Sequence, residues 1–320
     1  MTSIRLANLN AYKLTPADRD TPGWEARVTA IREIAPDILA LQEVVVDDTV
    51  TPPELWHQTA AELIQDLAVA CGLTAAVDAT PGHPYATAAA SNSHRPWYTA
   101  ILWNPATVTP VPHSFRPYGA PDFWHGFTTL QFDIGAASPL LIASYHADPF
   151  RPNARADEAL RIKGVFRRTG GVKPGVLLGD FNGLSAAEVI DPDGTRRYYD
   201  AECYRDQDHD DLEYQVLAGS AGGENLADRW QTEILLRRGF MVDSAAHLGA
   251  PWEATVGHWP DGQGDPDPWG PRRIDHIFAT RQVAPALRSY RLHRSSAALA
   301  ASDHLSPVLT VSPDKIATGS

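Results

Sequence analysis

Six apolar runs of this chain end in, or enclose, residues that do not belong in an apolar run. They are Leu6-Ala-Asn8-Leu-Asn10, Leu41-Gln-Glu43, Ala143-Ser-Tyr-His146, Leu178-Gly-Asp180-Phe-Asn182, Arg273-Ile-Asp275-His276 and Ser302-Asp303-His304. An unpartnered carboxylate buried beside a core strand costs several kcal/mol, so these groups must be paired, metal-bound or gathered in a cleft. Taken singly, each has an ordinary explanation, because a strand-end Asp is commonly a turn or cap residue. Six endings of metal-ligand or acid–base type point instead to one polar site assembled at strand ends.

The runs alternate with helical patterns along the whole length. Strands are expected at 4–9, 37–43, 98–103, 127–134, 140–145, 176–182, 273–279, 287–292 and 306–311. Helices are expected at 24–35, closed by Pro36, at 53–70 with Gly72 as its stop, and at 156–167 and 225–238. Strands outnumber helices, and many follow one another directly. That disfavours a doubly wound parallel sheet and favours an α/β sandwich in which two mixed sheets carry helices outside. One domain over residues 1–312 is expected, with a polar surface insertion at about 185–223 and a flexible tail at 313–320.

Composition narrows the class further. The 320 residues, 43% hydrophobic, suffice for a sizeable core. No apolar run approaches the roughly 20 residues that cross a bilayer, and the first ten residues are too polar for a secretory signal. Two cysteines, Cys71 and Cys203, make no disulfide framework, so a cytoplasmic location is expected. The formal charge of −12 excludes a basic footprint over the whole surface. A nucleic-acid substrate stays open, because one local metal site can bind phosphate.

In order and residue type the six motifs resemble the endonuclease/exonuclease/phosphatase superfamily, over nearly the full chain from Asn8 to His304. This superfamily includes pancreatic-type deoxyribonucleases, exonuclease III-type AP endonucleases, inositol polyphosphate 5-phosphatases and bacterial sphingomyelinases. Gly-Asp180-Phe-Asn182 and Ser-Asp303-His304 carry the resemblance most specifically. It implies a four-layer sandwich and a hydrolase of phosphate esters that uses Mg²⁺ or Mn²⁺. Glu43 would ligate the metal, with Asn8 and Asp303 beside it. Asp180 would orient and deprotonate the attacking water, and Asn182 would donate to phosphoryl oxygens. His304, oriented by Asp275, would hydrogen-bond the scissile phosphate, and His146 would touch it as well. Asn10 is a further phosphate contact on this reading, and Arg155 either binds phosphate or braces the site.

The chemistry supports those residue types. An anionic phosphodiester repels hydroxide, so its hydrolysis needs charge neutralisation, a positioned water and stabilisation of charge growing at phosphorus. Oxygen ligands suit Mg²⁺ or Mn²⁺. A His–Asp pair fixes tautomer and orientation. The sequence departs from the superfamily pattern at Ala7 and His276, where aromatics are common. Strand alternation makes His276 point away from the site. No acidic partner for His146 is evident.

Weaker features remain. Arg95, Arg151, Arg155, Arg272 and Arg273 form either a basic rim or ordinary surface charge. Trp97, Trp124, Trp252, Trp259 and Trp269 either stack on bases or cover a small organic group, or pack against the body; packing is the preferred reading. The segment Asp206 to Asp211 reads as a solvated acidic loop rather than a cation site. A nuclease acting on DNA or RNA is the leading expectation. The alternative is a phosphatase or phosphodiesterase of a small metabolite or lipid headgroup, and the intact motif set argues against a dead scaffold. No obligate protein partner and no membrane span are expected.

Overall fold

Along the first strand, even-numbered residues face one layer and odd-numbered residues another, and this alternation carries the architecture. In β1 (Ile4–Leu14), Ile4 and Leu6 enter a core between two sheets, while Ala7, Leu9 and Ala11 enter a second core beneath helices. The computed structural model describes residues 3–78, 87–208, 210–217, 224–259 and 269–317.

The first sheet joins β1 to β2 (Ile38–Val45), β3 (Ala90–Ser91), β4 (Trp97–Trp103), β16 (Leu287–Leu292) and β17 (Pro307–Val311). Their spatial order is β16-β17-β1-β2-β4-β3. The second sheet contains β5 (Thr109–Pro110), β6 (Arg116–Tyr118), β7 (Phe127–Asp133), β8 (Leu140–His146), β11 (Gly175–Asp180), β14 (Met241–Asp243) and β15 (Asp275–Thr280). Its order is β14-β15-β11-β8-β7-β5, with β6 also on β7. Both sheets mix parallel and antiparallel pairs, as in β1–β2 against β1–β17. Two hairpins stand apart: β9–β10 (Arg167–Arg168 with Gly171–Val172) and β12–β13 (Glu188–Ile190 with Arg196–Tyr198).

Three cores separate four layers. Leu6, Ile38, Ile101, Leu130, Ile142, Leu178 and Ile277 fill the space between the sheets. Val28 and Ile31 of α1 (Pro22–Ile34) and Leu63 and Leu67 of α2 (Trp56–Ala70) cover the outer face of the first sheet. Ile162 and Phe166 of α3 (Pro152–Phe166), with Ile234 and Leu235 of α4 (Trp230–Leu236), cover the second. The expected sandwich is therefore the observed one.

Element ends moved for local reasons. Helix α1 starts at Pro22 because the Thr21 hydroxyl accepts from the Trp24 N–H at 3.2 Å, and it stops where Ala35 turns left-handed. Two short helices, α5 (Ser244–His247) and α6 (Ser296–Ala301), are too brief to show a period. The stretch expected as a polar insertion carries a small core of its own, in which Tyr204 and Leu212 pack with Leu184, Ala227, Val256 and Ile274. Asp206, Asp208 and Asp211 are exposed there, and His209 lies outside the described residues. Where the tail is expected to begin, Pro313–Lys315 form a 3₁₀ turn, and Pro313 and Ile316 are buried; 318–320 lie outside the described residues. Both cysteines are free. Among the described residues no helix is long and apolar enough to cross a membrane.

Candidate active site

At one end of the inter-sheet layer the inward face stops being apolar while the alternation continues. Leu6 is followed by Asn8 and Asn10, Ala40 by Gln42, Ile142 by Ser144 and His146, and Leu178 by Asp180; Ile277 is preceded by Asp275. Sheet register then gathers them. Asn8 lies opposite Ala40 and Asn10 opposite Gln42, while Asp180 has His146 on one side and Asp275 on the other. Glu43 has the wrong parity for this face. A break in register between Leu41 and Val44, with Glu43 at φ 57°, turns it into the cluster. Asn182, at φ 48°, likewise leaves the strand just past Asp180.

Hydrogen bonds fix the acids. The Asn10 amide donates to Glu43 Oε1 and to Asp180 Oδ2, each at 3.0 Å. Glu43 Oε2 accepts from the Lys13 N–H at 2.9 Å, and Asp180 Oδ1 from the Asn182 N–H at 2.8 Å. His304 Nδ1 meets Asp275 Oδ2 at 2.8 Å, while Asp275 Oδ1 accepts from the Asn8 amide at 3.2 Å. The second ring nitrogen, His304 Nε2, faces Asp180 Oδ2 at 4.0 Å and Asp303 Oδ1 at 3.9 Å. His146 Nε2 lies 3.6 Å from Asp180 Oδ2 and 4.0 Å from Glu43 Oε1.

Charge is unbalanced here. Burial opposes a proton on His304, but the carboxylates of Asp275, Asp303 and Asp180 outweigh it and hold the ring well above its usual value. Burial raises the Asp303 carboxyl and His304 partly offsets this; Glu43 and Asp180 add to the rise, and the group is pushed up to about 6. Among the described residues no Lys or Arg side chain forms an ion pair within 4.0 Å of Glu43, Asp180 or Asp303, although the buried Arg27 guanidinium attracts Glu43 and Asp303 from further away. The ligand atoms of Glu43, His146 and Asp180 lie within 4.8 Å of one another, as do those of Asp180, Asp275 and His304. This oxygen-rich, cation-poor donor set fits a hard divalent ion.

Beside the acids opens a cavity of ≈ 390 Å³ lined by Glu43, His146 and Asn182 on one side and by Arg95, Trp97, Trp124, His125, Pro149 and Phe150 on the other. His125 stacks on His146, with centroids 4.0 Å apart and planes 9° from parallel. Burial, with His146 and Arg95 nearby, holds the His125 ring well below its usual value, so it is neutral. The two walls come from segments packed backbone to backbone. A Cβ at Gly126 would sit 2.0 Å from the Ser91 carbonyl oxygen, and one at Gly119 would sit 2.3 Å from that of Asn92. Only glycine permits that approach.

The structure brings together Glu43, Asn10, His146, Asp180, Asn182, Asp275, Asp303 and His304. Asn8 sits one layer deeper, its oxygen accepting from Gln42 at 2.9 Å and its nitrogen serving Asp275. Asn10, expected to contact phosphate, is spent on the two carboxylates. For Arg155 the contacts fit the second of its two expected roles. It is 1% exposed and donates to Asp148 O at 3.1 Å and Tyr214 O at 2.7 Å, which makes it a brace beneath the loops. Arg272 and Arg273, weighed as part of a rim, are buried. His276 turns away as alternation requires, its Nε2 2.9 Å from Gly183 O. Trp97 and Trp124 line the cavity rather than only packing against the body.

Sequence reasoning missed Gln42, Ser144, Ser302 and His125. Gln42 Nε2 and the Ser144 hydroxyl meet at 2.9 Å across the two sheets, and the Ser302 hydroxyl donates to Asn10 O at 2.7 Å. For His125 the available signal was the run Phe123-Trp-His-Gly-Phe127, an aromatic cluster split by a glycine.

Carboxylates, imidazoles and amides converging at the end of a four-layer sandwich define a metal-dependent phosphoester hydrolase. The chain belongs to the endonuclease/exonuclease/phosphatase family, whose members are phosphoesterases dependent on a divalent metal; the match spans residues 7–304. Among curated proteins none matches the chain significantly in sequence. Solved structures do. An endonuclease/exonuclease/phosphatase of Bacteroides vulgatus is 17% identical with a TM-score of 0.59, over 98% of this chain and 99% of that one. A mannosyl-6-phosphatase of Bacteroides thetaiotaomicron is 16% identical (TM-score 0.54, 97% and 100% covered). TDP2 of D. rerio in complex with single-stranded DNA product is 12% identical (TM-score 0.56, 97% and 99% covered). At these identities the likeness establishes the fold alone.

Proposed function

We propose that this chain hydrolyses phosphodiester bonds of nucleic acid with Mg²⁺ or Mn²⁺. The observation that carries the reading is the His304–Asp275 pair, at 2.8 Å, presenting its free Nε2 to the same cluster that holds Asp180 and Glu43. Glu43 and Asp303 would hold the ion, with Asn8 contributing its remaining oxygen lone pair. When bound, the metal supplies positive charge that neutralises the substrate phosphate and acidifies water.

The chain's own residues supply the rest. Asp180, pinned by the Asn182 N–H and the Asn10 amide, keeps lone pairs free to orient a water and accept its proton. A carboxylate is a weak base, so its effect depends on positioning that water. His304, protonated and held by Asp275, donates from Nε2 to a phosphoryl oxygen, where charge grows as the water oxygen bonds to phosphorus and the ester oxygen departs. Asn182 spends one amide N–H on Ala147 O at 3.1 Å and offers the other. His146 flanks Asp180 and contacts the phosphate from the cavity side.

A second reading, hydrolysis of a small phosphate ester, is favoured by the walled cavity, since about 390 Å³ suits a small molecule. The same fold serves a sugar phosphatase and a protein bound to single-stranded DNA product, so the fold itself does not choose. The test is a panel of plasmid, single-stranded DNA, RNA, an aryl phosphodiester and several phosphomonoesters, each with Mg²⁺, Mn²⁺ or chelator. Metal-dependent strand cleavage lost in Asp180→Ala and His304→Ala supports the nuclease reading. Turnover of small esters alone supports the second, and no turnover on any substrate overturns both.

A further inference from the structure

We infer that the cavity beside His146 is a binding site for one planar heteroaromatic ring, a nucleobase, attached to the phosphate under attack. The inference deepens the proposed function and rests on it for where the phosphate lies. Three features of the lining select a flat ring. Away from the acids the walls are aromatic: Trp97, Trp124, His125 and Phe150, joined by Pro149 and by Arg95 at the mouth. Leu, Ile and Val, which an acyl chain would need, are absent from the lining among the described residues. A sugar needs several donors and acceptors together, and beyond the acidic cluster the lining supplies only Arg95, His125 and the indole N–H groups of Trp97 and Trp124, with His125 the sole acceptor among them.

The rings are already arranged for stacking. Trp97 and His125 lie 5.7 Å apart and 35° from parallel, continuing the His125–His146 pile toward the opening. On the other side Trp124 meets Phe150 edge to face at 6.2 Å, while the Arg151 guanidinium covers Trp124 at 4.8 Å. The backbone N–H of Trp124 is anchored on Glu158 Oε1 at 2.7 Å. Phe150 is nonetheless 51% exposed, a large apolar ring left bare at the cavity.

His125 supplies the second, independent sign. Its side chain is 8% exposed, yet neither ring nitrogen finds a hydrogen-bond partner among the described residues, and the ring borders the cavity. Neither nitrogen is among the sealed-in polar atoms of the described residues, so both stay open to a partner that enters the cavity. A neutral imidazole offers one N–H and one lone pair, which matches the mixed donor and acceptor edge of a base.

The test is titration calorimetry with Mg²⁺ in Asp180→Asn protein, so that esters are not consumed. The ligands are a nucleoside 5′-monophosphate, ribose 5-phosphate and a single-stranded trinucleotide. Base stacking on an aromatic changes affinity by about 5- to 150-fold. The nucleotide is therefore expected to bind at least about 5-fold tighter than ribose 5-phosphate. Adding Trp97→Ala or Trp124→Ala should erase most of that preference, and Trp97→Phe should restore part of it. A trinucleotide bound as tightly as the monophosphate assigns the ring to a strand end, and weaker binding assigns it to a free nucleotide; both support the site. Equal affinity for nucleotide and ribose 5-phosphate, which needs no Trp variant to fold, overturns it, as does equal weakening of both by the Trp variants. Absent turnover with ring-dependent binding intact removes the proposed reaction and leaves the ring site; turnover with ring-independent binding removes the ring site alone.

Discussion

Within four residues, Arg273 to His276, the chain enters two clusters of aspartate and histidine with opposite fates. On one side Asp200 and Asp243 close around the Arg273 guanidinium at 2.8 and 2.6 Å, with His276 Nδ1 4.0 Å from Asp243. Burial would lower Arg273 and raise Asp243. Their mutual attraction outweighs it, so Arg273 rises well above its usual value and Asp243 falls below its own. On the other side Glu43, Asp180, Asp275 and Asp303 are contacted by imidazoles and amides with no guanidinium between them among the described residues, Arg27 acting on Glu43 and Asp303 only from further away. By composition alone both clusters are candidate metal sites. The difference is one guanidinium: where it fills the space between carboxylates the cluster is structural, and where it is missing the acids retain a demand for a cation that metal and substrate chemistry can use.

The largest expected effect strikes the open cluster. Asp180→Asn should lower kcat on a phosphodiester by about 10²- to 10⁴-fold. Its urea midpoint should stay at or above that of the parent, because a crowded charge is gone. A stability loss matching the activity loss would erase the distinction between the clusters. Next comes Arg273→Met, which strands two buried carboxylates and should cost about 3–5 kcal/mol of unfolding free energy. Urea denaturation reads it directly; an unchanged midpoint would mean that the closed cluster is not held by its arginine.

Glu158 sharpens the scale, being a buried acid with no cation in contact. Burial pushes its carboxyl up to about 7, although Tyr145, Trp124 and Asp148 donate to it. With the folded-state value above the unfolded one, the protonated group stabilises the fold fully below the unfolded value, and that stabilisation is lost as pH rises through about 7. About 3 kcal/mol should disappear between pH 4.5 and pH 7. Glu158→Gln should flatten that part of the stability profile, and a wild-type profile that is already flat there would contradict the assignment.

What was legible in the sequence follows the same division. Asn8, Asp180 and His304 announced themselves because each ends an apolar run, and the run itself places the residue on a strand. Alternation then sent Asp275 toward the site and His276 away from it. The closed cluster left no such mark. Arg273 is 73 residues from Asp200 and 30 from Asp243, so their meeting depends on tertiary packing rather than on any local pattern. Asn10 and Arg155 are legible as polar residues of the right region, but spacing does not reveal which partner a side chain reaches, so the choice between bracing and phosphate contact for Arg155 needs the tertiary structure. The cavity escaped for another reason: its walls come from loops around 91–97 and 119–127, whose approach depends on the glycine at 126 meeting the Ser91 backbone.

The most direct test of the central claim is calorimetric titration of Mn²⁺ into wild-type protein and Glu43→Gln. The expected result is a single site in the wild type that is lost or greatly weakened in Glu43→Gln, with the closed Arg273 cluster taking up no ion in either. Undiminished Mn²⁺ binding in Glu43→Gln would contradict the account, because it would place the metal somewhere other than the open cluster.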